Sequence, residues 1–152
     1  MPRAAAIVFI SFLMLASTTA MACTCMAYSD DIDKAIAMAY GQADAVFIGT
    51  VEKTRKKLLL YPPEQQALFI VRTIWKGLDT NRTLVRSNIG EIACGFRFSK
   101  RGSYLVFAYW DAKREILTTS FCDLTRIEAK SRDAIAALDK IVAAKPAPET
   151  VN

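Results

Sequence analysis

ADAVFIGTVEK (residues 43–53) and ALFIVRTIW (residues 67–75) are the stretches on which the fold turns. Both are dense in β-branched and aromatic residues, and a polar stretch holding Pro62-Pro63 separates them, so they predict the two arms of a long β-hairpin. Gly49 stands inside the first arm, where it marks a bulge or a sharp bend, the device by which small closed barrels turn a corner. Within the connecting segment TRKKLLLYPPEQQ (54–66), Leu58-Leu59-Leu60-Tyr61 stands where a hairpin tip should be polar. Either these leucines lengthen the arms, or they form an apolar tip that touches a partner.

Working outward toward the C-terminus, Trp75-Lys76-Gly77 closes the second arm and RTLVRS (82–87) alternates polar and apolar residues as a half-exposed strand does. Asn88-Ile89-Gly90 breaks that strand. SYLVFAYW (103–110) is an almost continuous apolar run, and Asp111 to Arg114 turn it into EILTTSF (115–121), giving five strands in all. Toward the N-terminus, Ser29-Asp30-Asp31 supplies a cap and first-turn acids. Behind it Ile32, Ala35, Ile36, Ala39 and Tyr40 keep a helical period until Gly41. After the strands, Thr125-Arg126-Ile127-Glu128 fits a capping box, and Ala134, Ile135, Leu138, Ile141 and Val142 continue a helical stripe up to Pro146. A mainly-β fold follows: a five-stranded, OB-like closed barrel with a short N-terminal helix and a C-terminal helix, since a sandwich would want about seven strands.

Residues 1–22 read as a signal peptide. Arg3 is the positive n-region, Ala4 to Ala16 carries only Ser11 as a polar residue, and Ala20-Met21-Ala22 is an A-x-A cleavage site. The apolar run is too short to span a bilayer. Cleavage there makes Cys23 the new N-terminus. Thr18-Thr19-Ala20 offers an alternative cut before Met21, and acylation of Cys23 is a second alternative, although Ala20 is a poor lipobox residue. One domain, residues 23–145, is expected, with residues 146–152 as a disordered tail, and the mature chain is secreted or periplasmic with no transmembrane span.

Removing the leader takes Arg3 alone from the charge count, leaving 19 Lys/Arg against 15 Asp/Glu, a formal +4. The excess is mild and spread along the chain, without the basic-aromatic clusters that nucleic acid would call for. The sequence has no histidine, which removes the commonest general base, the commonest zinc ligand and every Ser-His or Cys-His nucleophile. No enzymatic activity is expected. The four cysteines, Cys23, Cys25, Cys94 and Cys122, read as two disulfides in an oxidising compartment, with three connectivities open. Zinc ligation and a redox-active C-x-C pair are the rival readings of the same four residues.

Cys23-Thr24-Cys25 at the mature end, ADAVFIGT (43–50), Glu91-Ile92-Ala93-Cys94-Gly95-Phe96 and LTTSFC (117–122) together resemble the netrin-like module, specifically the N-terminal domain of the tissue inhibitors of metalloproteinases. The matching elements span nearly the whole mature chain. The resemblance implies an OB barrel, disulfides Cys23–Cys94 and Cys25–Cys122, and a partner zinc metalloproteinase. In that family the free α-amino nitrogen and carbonyl oxygen of the first residue, here Cys23, chelate the partner's catalytic zinc. The chain is expected to need no cofactor of its own and to act as a monomer. Thr24 would enter the protease's specificity pocket, and Ile92 and Ala93 would lie beside it, with Cys25 completing the contact ridge. The plainer reading is that Thr24 is an ordinary surface residue and that Ile92-Ala93 packs the barrel mouth. Departures are visible: Met26-Ala27-Tyr28 replaces a proline-bearing stretch, and a third disulfide and a cysteine-rich C-terminal subdomain are missing. The alternative function is a non-inhibitory netrin-like binding module that holds a protein or glycan. Asn81-Arg82-Thr83 is a glycosylation sequon, meaningful in a eukaryotic secretory route.

Overall fold

The computed structural model describes residues 25, 28–60, 62–89 and 94–144. Residues 1–22, expected as a signal peptide, and Cys23, Thr24, Tyr61, Ile92, Ala93 and residues 146–152, expected as a tail, lie outside the described residues.

Helix α1 (Ile32–Gln42) begins where the sequence places it. The Asp31 carboxylate accepts hydrogen bonds from the backbone N–H groups of Asp33 and Lys34 at 3.0 and 3.2 Å, satisfying two donors that the first turn would otherwise leave open. Ala35, Ile36, Ala39 and Tyr40 are buried, and Gly41 lies within the helix rather than ending it. Strands β1 (Ala45–Lys57) and β2 (Glu64–Lys76) then pair from Val46–Lys76 to Lys57–Glu64, each longer than the apolar pattern alone suggests. Thr54 to Lys57 and Glu64 to Gln66 carry the ladder on with polar residues, because backbone pairing does not need an apolar face. Leu58 to Leu60 therefore do not extend the arms; they form the turn itself.

The register shifts between Ile48 and Gly49, the bend expected at that glycine. A Cβ there would lie 3.0 Å from the Ile70 carbonyl oxygen and 3.1 Å from the Phe69 ring. Bending at this point lets β1 pair with β2 on one edge and, over Ala45–Thr50, with β4 (Ser103–Asp111) on the other. Strand β3 (Arg82–Asn88) continues the sheet antiparallel to β2. The short β5 (Ile116–Thr118) runs antiparallel to β4 and parallel to β3, through Val85–Leu117 and Arg86–Thr118. That parallel pair closes the ring β1-β2-β3-β5-β4-β1, so the five-stranded closed, mainly-β architecture is what the protein adopts. A two-residue strand β6 (Arg126–Ile127) adds to β4 outside the ring.

Two apolar layers explain the near-continuous hydrophobic run of β4. Tyr104, Val106 and Ala108 point into the ring with Phe47, Val51, Phe69, Val85, Phe98 and Leu117, where Phe69 sits edge-on to Phe47, Phe98 and Tyr104. Leu105 and Phe107 point outward, against Ile36, Ala39 and Tyr40 of α1 and Ala134, Ala137 and Leu138 of α2 (Arg132–Ala143). Both faces of the strand are covered, so period-two alternation disappears. The Trp75 indole donates to Asp139 at 2.8 Å and the Tyr40 hydroxyl donates to the Trp75 carbonyl at 3.0 Å, fixing the helices on β2.

Two expectations are corrected. The strand predicted over 115–121 is only Ile116–Thr118, because the Thr119 hydroxyl turns inward to the Phe107 carbonyl at 2.8 Å and the chain then folds into a turn. Thr125 does not open a capping box. Its buried hydroxyl accepts the Phe107 N–H at 3.0 Å, and Glu128 starts a 3-10 turn (Glu128–Lys130) while its carboxylate binds Arg72 and Ser103. Helix α2 starts only at Arg132, behind Ser131, which makes no side-chain cap bond.

Candidate functional site

At one end of the ring, Lys57, Glu64 and Asn88 stand in register across β1, β2 and β3. The parallel pairing of β5 with β3 brings Thr119 to the same end, where its N–H bonds the Arg86 carbonyl at 2.9 Å. The cysteines gather here. Cys25 is bonded to Cys122, with the two Cα atoms 5.2 Å apart across a sequence separation of 97. Cys94 is also disulfide-bonded, and no described cysteine is free. The Phe121 N–H donates to the Cys94 carbonyl at 2.7 Å, and Gly95 bridges Ser120. Cys25, Cys94 and Cys122 are thus assembled around one turn, Thr119–Leu124.

That turn is built from its own polar groups. The Ser120 N–H donates to the Asp123 carboxylate and the Cys122 N–H to the Ser120 hydroxyl at 3.2 Å, which leaves Phe121 projecting, 65% exposed. Burial pushes the Asp123 carboxyl above its ordinary value. Burial likewise pushes the Tyr109 phenol well above its ordinary range, with the charge of Asp123 and the nearby Tyr28 adding to the effect, so both stay uncharged more readily than they would in water.

The segment after Cys94 is clamped onto β3. A Cβ on Gly95 would stand 1.2 Å from the Asn88 carbonyl oxygen, so the position accepts glycine alone. The Phe96 N–H donates to the buried Ser87 hydroxyl at 2.7 Å, and the Gln65 side-chain amide pairs with both backbone groups of Phe98, at 2.8 and 2.9 Å. Cys94 itself holds φ +48°, an uncommon conformation for a side-chain-bearing residue, maintained by this clamp and its crosslink. At the other stem, the Ile89 N–H bonds the Pro63 carbonyl at 2.8 Å and Arg97 donates to the Ile89 carbonyl at 2.7 Å. Beneath lies a buried ion pair, Arg86–Glu64 at 2.6 Å, with Arg86 also reaching the Asn88 side chain at 2.9 Å. The Arg86 bond holds the Glu64 carboxyl below the usual carboxylate range, against the opposing effect of its burial.

Of the site residues expected from sequence, Cys25 is placed, in a cysteine ridge formed with Cys94 and Cys122 around the Thr119–Leu124 turn. Cys23, Thr24, Ile92 and Ala93 lie outside the described residues, each within two positions of a placed and crosslinked cysteine. Sequence reasoning missed Phe121, Gln65 and the Arg86–Glu64 pair. Gln65 and Glu64 sat in what looked like a loop, and Arg86 on what looked like the polar face of an alternating strand. Among the described residues no group of three His, Cys, Asp or Glu side chains is placed to hold a metal ion, and no helix is long and apolar enough to cross a membrane. No family model matches the chain, and no curated protein is significantly similar to it.

Proposed function

We propose that this protein is an exported, netrin-like inhibitor of a zinc metalloproteinase, acting through the α-amino nitrogen and carbonyl oxygen of Cys23. The observation that carries the reading is the Cys25–Cys122 crosslink lying beside Cys94. Cys94 is itself in a disulfide, and Cys23 is the remaining cysteine of the chain, so the reading pairs those two. An N-terminus crosslinked at its first and third residues presents its amine and carbonyl in one geometry, which lowers the ordering cost of binding. Disulfides of this kind suit an oxidising compartment.

The chemistry needs no side chain from this protein. A neutral amine and an adjacent carbonyl oxygen close a five-membered ring on the partner's zinc and displace the water that would attack the scissile bond. An α-amino pKa of about 7.7 to 8.0 leaves a useful neutral fraction near pH 7. Thr24 would fill the specificity pocket, with Ile92 and Ala93 flanking it. The protein is then a monomeric inhibitor without enzymatic activity and without a cofactor of its own.

The test has two steps. N-terminal sequencing and intact mass of the exported protein should find an unmodified Cys23 as the first residue, and that protein should inhibit a zinc metalloproteinase. Adding one alanine before Cys23 should abolish inhibition while leaving the far-ultraviolet circular dichroism and unfolding curve unchanged. A blocked or extended Cys23, or equal inhibition by the extended form, overturns the chelation reading and leaves a netrin-like binding module.

A further inference from the structure

The apolar tip of the β1–β2 hairpin is not absorbed by any of this chemistry. Leu59 is fully exposed, Leu58 is 65% exposed and Leu60 46%, three consecutive leucines at a turn that leaves much of their apolar surface in water. Below them Lys53, Arg55, Lys56 and Lys57 are all exposed, and none has a carboxylate within ion-pair distance among the described residues. Between Glu52 and Glu64 the sequence has no acidic residue, and these two flanking carboxylates are already engaged by Arg82 and Arg86. Four exposed cations thus line one arm of the hairpin, β1, beneath an apolar point.

Edge protection explains part of this pattern. β1 pairs with β4 only as far as Thr50, the Val51 edge is covered by Arg101 and Gly102, and from Glu52 to Lys57 no described strand lies on its outer side. Lysines on such an edge discourage another chain from pairing with it. Leucines do the opposite, so edge protection alone leaves the tip unexplained. A surface that takes leucine side chains into an apolar layer and meets cations with negative charge just above it accounts for both.

We propose that the hairpin tip docks this protein on an anionic lipid bilayer, with Leu58, Leu59 and Leu60 entering the acyl boundary and Lys53, Arg55, Lys56 and Lys57 meeting the headgroups. Such docking is interfacial and reversible; it needs no spanning segment. Each cation near a negatively charged leaflet strengthens binding by about fivefold, so four give a preference for anionic over zwitterionic membranes of about 10²- to 10³-fold. Each leucine withdrawn from water adds about tenfold or more. The proposal is independent of the inhibitor reading, since Cys23 takes no part in it.

Vesicle co-sedimentation tests it, using the purified protein with large vesicles of phosphatidylcholine alone or mixed with phosphatidylglycerol. The protein should partition onto the mixed vesicles, be released by salt, and remain free of the zwitterionic ones. Replacing the leucines together (Leu58→Ser, Leu59→Ser, Leu60→Ser) should abolish binding, and Lys56→Glu with Lys57→Glu should erase the lipid preference. A Leu59→Trp variant should show blue-shifted emission on mixed vesicles. Absence of binding to mixed vesicles overturns the proposal. So does undiminished binding by the serine variant, which would mean electrostatic adhesion only. Leucine-dependent capture of an acidic protein without any vesicle binding would assign the tip to a protein partner instead.

Discussion

Replacing Gly95 with alanine adds one methyl group, and the structure says where it must go. The new carbon would lie 1.2 Å from the Asn88 carbonyl oxygen and 2.0 Å from its carbon, both backbone atoms that a rotamer change cannot move. Restoring ordinary contact requires the Cys94–Phe96 segment to retreat from β3 by about 2 Å. That distance breaks the 2.7 Å bond from the Phe96 N–H to Ser87 and strains the 2.7 Å bond from Phe121 to Cys94, at about 1 kcal/mol each. Leaving the Phe96 donor dry costs about 1–2 kcal/mol more, so the expected loss is roughly 3–4 kcal/mol. Gly41→Ala is the matched control. Its Cβ would meet nothing within 4 Å, it sits inside α1, and it should stabilise by about 0.5–1 kcal/mol. Equilibrium urea unfolding of the two oxidised variants measures the gap, about 4 kcal/mol for the same chemical change. A Gly95→Ala protein within about 1 kcal/mol of the parent would refute the claim that this segment is clamped on β3.

Removing the Cys25–Cys122 bond by Cys25→Ser with Cys122→Ser should cost about 4.7 kcal/mol in the chain-entropy treatment of a separation of 97, or about 3.5 kcal/mol if the proposed Cys23–Cys94 bond shortens the path. Unfolding curves check this, and a loss under about 1 kcal/mol would show that the crosslink does little to restrict the unfolded chain. Glu64 has a depressed carboxyl pKa in the folded state, so its stabilisation is complete above the ordinary value of 4.5 and is lost as pH falls through the lower folded value. Glu64→Gln should therefore flatten the stability profile below pH 4.5. At neutral pH the same change should cost about 3–5 kcal/mol, because Arg86 is left charged and buried without its partner. An acid limb unchanged by Glu64→Gln would assign that limb to other carboxylates.

Most of the ring was legible because its strands obey local rules. Gly49 marked the bend, and the two hairpin arms were dense in strand formers. What the sequence could not disclose are features fixed by partners far along the chain. Thr125 and Glu128 have the spacing of a capping box, yet Thr125 is drawn into a buried hydroxyl pair with Thr119 and Glu128 toward Arg72, 56 positions away. Tertiary partners outcompete the local cap, and the helix starts late. Buried Gln65 likewise gives no sign in its neighbours of the backbone groups it will satisfy at Phe98. Of the candidate site, the spacing of the four cysteines pointed to disulfides but left three connectivities open, and Cys25–Cys122 is the pair the structure forms; Phe121 was not legible, since its exposure depends on the hydrogen bonds of the Ser120–Asp123 turn.

The two proposed surfaces share an end of the ring but not a mechanism, which makes them separable. Pro63, at the base of the leucine tip, accepts the Ile89 N–H, and Ile89 is the near stem of the segment whose far stem is the crosslinked Cys94. A protein held to a bilayer by its tip therefore has its cysteine ridge within one short segment of the membrane-facing turn. Leucine substitutions at the tip remove none of the partners that hold the ridge, which are Pro63, Gln65 and residues 86–89, 94–98 and 119–123. An alanine added before Cys23 leaves the tip untouched. If tip substitution removed inhibition of a soluble protease while the ridge stayed folded, the leucines would belong to the protease contact and the membrane assignment would fail. Unchanged inhibition in solution with lost vesicle binding is the outcome that two independent surfaces require.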